Sequence, residues 1–373
     1  MSGTVLFDEG PGGAPAEFTS PVALIRADTP EEVPGALAAM EAAQARGQWL
    51  AGYGSYELGY ALSRKLAPLM PEGRDVPLLL FGVFDGPQTP APQTSGPATL
   101  FDLVPVWDAA TYRAAYDTVQ DYISAGDIYQ ANLTFPINAR ATGAPRDLYN
   151  ALVARQSVRL GAFVDLDGPS ILSRSPELFF AIEGGRIRTR PMKGTAPRGA
   201  TPDEDARLVR DLAGSEKNQA ENLMIVDLLR NDISRISRIG SVKVPRLFHV
   251  ETYATVHQMV SDVEGILLPG IGLTDIMRAL FPCGSVTGAP KIRAMEILRE
   301  LEQGPRGVYC GGIGWIAPYG DMRFNVAIRT LTCWPDGRVR LDVGGGVVHD
   351  STGDGEYEEA LWKARFADLS RPT

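Results

Sequence analysis

Three charged residues near the C-terminus are spaced to share one face of a helix. Glu356, Glu359 and Lys363 are three and four positions apart, the spacing of neighbours on a helical surface. Two carboxylates beside an ammonium group could hold a hard cation together with an anionic ligand. The same spacing is also typical of a solvated face with an ordinary ion pair, and spacing alone favours that simpler interpretation.

Another carboxylate, Glu221, falls on an otherwise apolar helical face. Ile225, Leu228 and Leu229 follow it at spacings of four, seven and eight. A carboxylate buried on such a face needs a cation or a hydrogen-bond donor. The alternative is a half-exposed glutamate near the start of the helix, where the helix dipole favours a negative charge. These two interpretations stay open on spacing alone.

Two glycine-rich stretches could present backbone N–H groups to an anion. Cys283–Lys291 is a turn that enters a helix, with Pro290 suited to the first helical turn. Gly344–Gly346 ends a strand, where it allows a ligand to approach the backbone or forms a bulge. Neither stretch matches a Walker loop or a dinucleotide-binding fingerprint. A simple helix-entry turn is the alternative for the first stretch.

Lys193 follows a predicted strand at a turn, within Pro191–Thr195. A lysine fixed there could act as a nucleophile if desolvation or neighbouring cations favour its neutral form. A lone lysine in a turn is usually just solvated, so its position alone does not assign it a role.

The elements that must position these residues are strands joined by short turns, with helices between them. The apolar periodicity predicts helices at Glu31–Arg46, Ala110–Ala125, Glu216–Asn231, Lys291–Leu301 and Gly355–Leu369. Strands are predicted at Val76–Phe84, Leu160–Leu166, Leu178–Ile182, Arg186–Arg190, Val308–Ala317, Arg323–Trp334 and Arg338–Val348. The proline-rich stretch Asp85–Pro97 is predicted to be a surface loop or linker. This mixture predicts an α+β protein with large antiparallel sheets.

Composition excludes several classes of protein. The 373 residues carry 36 Lys and Arg against 45 Asp and Glu, and a net charge of −9 argues against general nucleic-acid binding. The three cysteines are widely spaced and form no Cys-x-x-Cys pair, which argues against a disulfide framework or a thiolate zinc site. The acidic N-terminus is unlike a secretory signal, and no apolar run approaches a membrane span. We therefore expect a cytoplasmic protein without a membrane anchor.

Taken together and in order, a series of sequence blocks resembles the chorismate-utilising enzymes. The resemblance covers roughly Thr111–Phe366. The blocks are Gly126–Leu133, Ser175–Phe179, Pro191–Gly199, Glu221–Asp232, Gly284–Lys291, Tyr309–Gly312, Ala327–Thr330, Gly344–Val348 and Glu356–Glu359.

Within this family, Lys193 separates two branches. The aminodeoxychorismate synthases typically have a lysine here, whereas the anthranilate synthases typically have an alanine. Lys193 therefore favours the first branch. Met192 and Ala196 depart from the usual isoleucine and the frequent arginine of the family, and neither removes a functional group.

The resemblance implies a fold of two interlocked subdomains, with large antiparallel sheets packed together and helices outside. It implies an N-terminal segment over residues 1–100 and a chorismate-binding catalytic domain over residues 101–373. The two would form a single structural body. Asp85–Pro97 would then be a surface loop rather than a domain boundary.

The resemblance also implies the site residues. It assigns Mg²⁺ to Glu221, Glu356 and Glu359, which suits a hard cation with oxygen ligands. It implies Lys193 as the nucleophile and Glu177 as the general acid. The residues implied to bind or line the substrate are Tyr309, Arg329, Gly345, Gly346, Lys363, Thr287 and His257.

The implied reaction adds ammonia to chorismate and gives 4-amino-4-deoxychorismate, a precursor of para-aminobenzoate and folate, through a covalent lysine adduct. Ammonia would come from glutamine through a separate glutaminase subunit, because no stretch is left for a glutaminase domain. One alternative is an anthranilate synthase, which releases pyruvate and anthranilate for tryptophan biosynthesis. Isochorismate and salicylate synthases fit less well, because they use water and a differently placed lysine base. An alternative of another class is a non-catalytic regulatory subunit, against which the full carboxylate set and Lys193 argue.

Overall fold

The computed structural model describes residues 3–92, 95–253 and 256–369. Its α-helices are α1 (Val33–Ala45), α2 (Leu58–Leu62), α3 (Ala109–Ser124), α4 (Pro145–Arg155), α5 (Pro202–Ala213), α6 (Glu216–Ser234), α7 (Leu273–Leu280), α8 (Lys291–Leu301) and α9 (Gly353–Lys363).

The strands fall into two groups along the chain. The first group is β1 (Thr4–Phe7), β2 (Ala16–Thr19), β3 (Ala23–Ala27), β4 (Trp49–Gly54), β5 (Leu79–Phe84), β6 (Thr99–Pro105), β7 (Gln130–Thr142), β8 (Ala162–Asp165), β9 (Ser170–Ser173) and β10 (Leu178–Glu183). The second group is β11 (Arg186–Arg190), β12 (Met192–Pro197), β13 (Lys243–Thr252), β14 (Val256–Ile266), β15 (Gly288–Ala289), β16 (Gly312–Ile316), β17 (Met322–Val326), β18 (Thr330–Cys333) and β19 (Arg338–Val347).

These strands build two large antiparallel sheets. The nine-stranded sheet runs β15-β7-β19-β18-β9-β8-β1-β2, with β6 also paired to β7. The ten-stranded sheet runs β12-β14-β11-β10-β17-β16-β4-β5-β3, with β13 also paired to β14. The first 100 residues contribute strands to both sheets. The predicted α+β class with large antiparallel sheets is confirmed.

The core lies between the sheets and beneath the helices that cover them. One apolar cluster joins strands of both sheets and includes Phe18, Tyr53, Ile171 and Trp315. A second cluster packs α3, α4, α8 and α9 against the nine-stranded sheet. The third packs α1, α6 and α7 against the ten-stranded sheet. The molecule is therefore a pair of facing sheets with helices on the outside.

Local sequence signals explain where several helices begin. The side chains of Asp108, Thr201 and Ser215 accept hydrogen bonds from the backbone N–H groups three residues further on, and so cap α3, α5 and α6. α5 also has proline in its first turn, followed by acidic residues that favour the positive end of the helix dipole. The sequence analysis did not predict α5, although these signals were present.

Most predicted elements lie within a few residues of the observed ones. The range Arg323–Trp334 is the exception, because it is not one strand. Met322–Val326 belongs to the ten-stranded sheet and Thr330–Cys333 to the nine-stranded sheet, and the chain crosses between them at residues 327–329. The single-strand prediction was wrong because a continuous apolar run fits strands in either sheet equally well.

The proline-rich stretch Asp85–Pro97 connects β5 to β6, as a loop should. Within it, Gln88 forms an isolated bridge with Glu17, and residues 93 and 94 lie outside the described residues. Among the helices described, none combines the length and the apolar character needed to cross a bilayer. The described cysteines Cys283, Cys310 and Cys333 are buried and free.

Candidate active site between the two sheets

Two crossovers between the sheets run side by side and carry two of the predicted site residues. The chain leaves β9 and enters β10 through residues 174–177, and it leaves β17 and enters β18 through residues 327–329. The backbone N–H of Arg174 donates to the carbonyl of Arg329, and the N–H of Val326 donates to the carbonyl of Glu177. The pairing brings Glu177 and Arg329 to the same gap between the sheets.

Glu177 is 6% exposed in this gap. Burial raises the pKa of its carboxyl to about 7, while a hydrogen bond from Ser285 and the positive charge of Lys193 act in the opposite direction. A carboxyl with this pKa is partly protonated at neutral pH, so it can donate a proton to a leaving group. The influence of Lys193 shows that the predicted acid and the predicted nucleophile lie close together.

Lys193 lies on β12 and points toward the glycine run of β19. A methyl group built on Gly346 would lie 2.9 Å from Lys193 Nζ and 2.9 Å from Gln130 Nε2. Within the ranges that the structure describes, Lys193 Nζ has no hydrogen bond and no ion pair. The amine is therefore free to meet a ligand in the space beside Gly346.

The neighbouring glycine opens onto the charged face of α9. A methyl group built on Gly345 would lie 2.7 Å from Glu356 Oε2 and 3.5 Å from Lys363 Nζ. Lys363 donates to Glu359 at 2.8 Å and to the carbonyl of Gly344 at 2.9 Å. Glu356, Glu359 and Lys363 thus share one face of α9. Glu356 and Lys363 lie beside Gly345, whereas the Glu359 side chain is 56% exposed and pairs with Lys363.

The two carboxylates of α9 are shifted in opposite directions. Burial and the negative charge of Glu359 raise the pKa of Glu356, against a hydrogen bond from Ser351. Burial also acts to raise the pKa of Glu359, but Lys363, Lys193 and Lys217 outweigh it and lower that pKa. The positive charge of Lys193 acts to lower the pKa of both carboxyls, so both lie within electrostatic reach of its amine.

Arg329 presents a guanidinium group with no partner among the described residues. Burial lowers the pKa of this side chain, and no carboxylate compensates for it. Its backbone has a φ of 50°, in the left-handed region that non-glycine residues seldom adopt. Arg329 is half-buried. Partial desolvation of a guanidinium group without a counter-ion is costly, and an anionic ligand would reduce that cost.

Glu221 lies on the face of α6 that covers these residues. One helical turn before it, Asn218 packs 3.0 Å from the position of a methyl group on Gly194, the residue after Lys193. Two turns after Glu221, Leu228 packs on Gly284 in the turn that carries Ser285. Glu221 is half-buried between these two contacts and has no described hydrogen bond or ion pair. This placement puts Glu221 over the segments that carry Lys193 and Ser285, and its role as a metal ligand stays a prediction.

Three other predicted residues are buried nearby and already have structural contacts. Thr287 donates to the carbonyl of Gly284 and accepts from the N–H of Asn132. Tyr309 is in the apolar core, where burial raises the pKa of its phenol. His257 uses both ring nitrogens, with Asp205 at 2.8 Å and Thr252 at 2.9 Å. No described hydrogen bond joins these three to Lys193 or Glu177, so their substrate roles stay predictions.

The structure adds residues to the site that the sequence analysis did not assign. Gln130 is fully buried, and among the residues that the structure describes neither its amide nitrogen nor its amide oxygen has a hydrogen-bond partner. The hydroxyl of Ser285 lies 3.2 Å from Cys283 Sγ and acts to lower the pKa of Glu177, and the charge of Lys217 acts on Glu359. Gln130 and Ser285 lie inside blocks that carried the family resemblance, so their location in those blocks was the available signal.

The carboxylates suit a hard cation in their chemistry. Glu356 and Glu359 influence each other on α9, whereas Glu221 lies on a different helix, α6. Within residues 3–92, 95–253 and 256–369, no group of three or more His, Cys, Asp and Glu side chains is close enough to hold a metal alone. A cation here would therefore need further oxygen ligands from water or from an anionic substrate.

The facing sheets and this acidic, lysine-containing gap define a chorismate-binding enzyme. The sequence profile of that family, described as chorismate binding enzyme, matches residues 4–368, and the chain belongs to this family. The structure of anthranilate synthase component I from Streptococcus pneumoniae superimposes with a TM-score of 0.81 at 26% identity, covering 100% of this chain and 92% of that one.

Two curated relatives show how the sequence compares in detail. Aminodeoxychorismate synthase component 1 of Klebsiella aerogenes is 44% identical over 275 residues, which are 73% of this chain and 61% of that protein. Anthranilate synthase component 1 of Aquifex aeolicus is 42% identical over 246 residues, which are 66% of this chain and 50% of that protein. The chain thus matches about three-fifths or less of the length of these relatives.

Proposed function

We propose that this chain converts chorismate and ammonia to 4-amino-4-deoxychorismate. One observation carries the proposal: the unpaired amine of Lys193 lies beside Gly346 and close to Glu177, whose pKa is about 7. A free amine next to a carboxyl that can donate a proton is the pair that a covalent displacement on chorismate requires. The similarity to aminodeoxychorismate synthase component 1 supports the same reaction.

In the first half of the reaction, the lone pair of Lys193 Nζ forms a bond to ring carbon C2. Both ring double bonds shift, from C1=C2 to C1=C6 and from C5=C6 to C4=C5, and the C4–O bond breaks. Glu177 gives its proton to the departing oxygen, which leaves as water. Lys193 must be neutral to attack, and the adduct carries the positive charge until the amine loses a proton.

In the second half, ammonia forms a bond to C4, both double bonds shift back, and the C2–N bond to Lys193 breaks. The product is 4-amino-4-deoxychorismate, and Lys193 returns as a free amine. Two allylic displacements thereby replace one difficult substitution at a poor leaving group.

Substrate binding would use the positive groups and backbone around the gap. Arg329 suits bidentate binding of a carboxylate, and Lys363 and the backbone of Gly345 and Gly346 supply further donors. Tyr309, Thr287 and His257 would complete the walls. Glu221, Glu356 and Glu359 would hold Mg²⁺, which would orient the ring carboxylate and neutralise its charge.

Ammonia would come from glutamine through a separate glutaminase subunit. The name component 1 of the relatives supports a two-component enzyme. Cytoplasmic location remains our proposal for such a biosynthetic enzyme.

The test is a product assay with chorismate, Mg²⁺ and ammonium, with and without an added aminodeoxychorismate lyase. Without the lyase we expect no fluorescent anthranilate, and with the lyase we expect para-aminobenzoate. Anthranilate formed without the lyase would instead support the second candidate, favoured by the 42% identity to anthranilate synthase component 1. Unchanged chorismate would favour a non-catalytic subunit.

Lys193→Ala tests the covalent step in the same assay. We expect aminodeoxychorismate formation to fall at least about 100-fold, because a single nucleophile carries both displacements. Lys243→Ala is the matched control, since Lys243 is an exposed lysine of strand β13. Full activity of Lys193→Ala would exclude a nucleophilic role.

A further inference from the structure

Arg306 is a buried arginine whose side chain reaches the back of the candidate site. It lies after α8, outside the residues assigned above, and is 3% exposed. Its Nε and Nη2 donate to the two carboxylate oxygens of Glu302 at 2.8 and 2.7 Å. Its guanidinium carbon also lies 4.3 Å from the centre of the Tyr56 ring. These contacts fix the plane of the guanidinium group.

The remaining donors of Arg306 bind two backbone carbonyls that belong to different walls of the site. Nη2 donates to the carbonyl of Asn132 at 2.7 Å, and Nη1 donates to the carbonyl of Val286 at 2.8 Å. Asn132 is two residues from Gln130, whose amide lies beside Lys193. Val286 follows Ser285, whose hydroxyl is close enough to Glu177 to act on the pKa of that carboxyl. One side chain therefore joins the wall near the nucleophile to the wall near the acid.

The N-terminal segment holds Arg306 from the other side. Glu57 is 1% exposed, and its two carboxylate oxygens accept the backbone N–H groups of Arg306 at 2.7 Å and Gly307 at 3.1 Å. Glu302 is anchored in turn by the N–H and hydroxyl of Thr134 on β7. Glu57 therefore holds the backbone of Arg306, and Glu302, which holds its guanidinium group, is itself bound to Thr134. The Arg306 side chain cannot move without breaking several of these buried hydrogen bonds.

We propose that Arg306 is a positioning residue for the reaction. It sets the separation between the Gln130 strand, which faces Lys193, and the Ser285 turn, which faces Glu177. This inference rests on the proposed function. A lysine in its place has one nitrogen instead of a planar fork, so it cannot span Glu302, Asn132 and Val286 in the same way. A misplacement of about 1 Å between reacting groups can cost on the order of 100-fold in rate.

The experiment compares Arg306→Ala and Arg306→Lys with wild-type protein in the assay with ammonium. We expect kcat to fall by about 100-fold in Arg306→Ala and less in Arg306→Lys, with a much smaller change in KM. The alkaline limb of kcat should move to higher pH, because Glu177 loses the hydrogen bond from Ser285 that lowers its pKa. Guanidinium chloride at millimolar concentration should restore part of kcat. Arg306 lines a cavity of about 200 Å³ through which the ion can enter.

Arg146→Ala is the matched control, because Arg146 also combines an ion pair, with Glu17, and stacking on an aromatic ring, that of Phe163. It touches no residue of the candidate site, so its kcat should stay near wild type and guanidinium should not raise it. Amide hydrogen exchange gives a readout without turnover. In Arg306→Ala the N–H of Asn132 should exchange faster, while amides at the far end of β7 should not change.

The outcomes separate the two proposals. Inactive wild-type protein contradicts the proposed function, and in that case unchanged exchange at Asn132 also contradicts positioning by Arg306. Active wild type with a folded Arg306→Ala of normal kcat overturns only the role of Arg306. A loss of kcat that guanidinium worsens instead of restoring indicates a merely structural role and also overturns it. If Arg306→Ala does not fold, a normal kcat for Arg306→Lys is decisive against the inference.

Discussion

Glu177 and Arg329 show what burial does to single charged residues in this site. Burial moves the pKa of Glu177 up and that of Arg329 down, in each case toward the neutral form. For Glu177 the result is a proton donor near neutral pH. For Arg329 it is a cation that lacks a counter-ion until an anion arrives. Both effects follow from location, so neither could be read from residue type alone.

The pKa of Glu177 predicts the pH dependence of the reaction. Only the protonated carboxyl can donate, and it is protonated below its pKa of about 7. We therefore expect kcat to fall as pH rises through this value. In Glu177→Gln that limb should disappear and kcat should drop by roughly 10²–10⁴-fold, the usual contribution of general acid catalysis. A pH series of kcat for both proteins checks this, and an unchanged limb in Glu177→Gln would assign it to another group.

The missing counter-ion of Arg329 predicts opposite effects on binding and stability. Arg329→Met should raise KM for chorismate, since a hydrogen bond to a charged group contributes about 1.5–3 kcal/mol. The same variant should unfold at the same or a higher temperature, because it removes an uncompensated buried charge. Steady-state kinetics and thermal unfolding measure the two quantities. A large drop in Tm with unchanged KM would show that Arg329 serves the fold instead of the substrate.

At the scale of elements, β19 and α9 supply the floor and one wall of the site. β19 pairs with β7 through Gly344–Gly346, and the charged face of α9 lies above that run. The sequence predicted the strand nearly to its bounds, because a long apolar strand has clear periodicity. It predicted the helix but placed its end at Leu369, six residues beyond Lys363, because a 3-10 turn over residues 364–367 continues the helical pattern. It did not predict β12, which carries Lys193, because its residues Met192–Pro197 lack both alternation and β-branched bulk.

The glycine run of β19 predicts a steric effect on the reaction. In Gly346→Ala the new methyl group would lie 2.9 Å from Lys193 Nζ and Gln130 Nε2, so it must displace them. We expect strong loss of kcat with little change in fold. Gly35→Ala is the control, since a methyl group there meets nothing within 4 Å. Steady-state kinetics measure kcat of both variants, and circular dichroism measures whether they are folded. A fully active Gly346→Ala would mean that the reacting groups do not need the space beside Gly346.

The position of Glu359 on α9 predicts that this carboxylate contributes to the Mg²⁺ dependence of activity. Glu359→Ala should weaken Mg²⁺ binding and activity together, because it removes an oxygen ligand from the proposed site. Glu358→Ala is the matched control, since Glu358 is the exposed neighbour on the same helix. Titration calorimetry with Mg²⁺ and chorismate, together with the Mg²⁺ dependence of rate, provides the measurement. Equal metal affinity in the two variants would place the metal elsewhere.

At the scale of the whole molecule, the sequence predicted the class of fold through periodicity and the family through its blocks. It could not predict which strands share a sheet, since pairing depends on contacts between distant segments. The range Arg323–Trp334 illustrates the limit, because its two strands belong to different sheets although the sequence runs on without a break. Glu177, Lys193, Glu356 and Lys363 lie near one another in the structure, and their roles stay predictions. Gln130 and Arg306 became visible only from their contacts.

The paired crossovers also bear on how the chain acquires activity as it folds. Glu177 and Arg329 sit on segments whose flanking strands belong to different sheets, so neither sheet alone can form the gap. Each sheet draws strands from residues far apart in the chain, a topology of high contact order that slows folding. Catalytic competence should therefore emerge late in refolding, together with the docking of one sheet on the other. Secondary structure should be largely recovered before it.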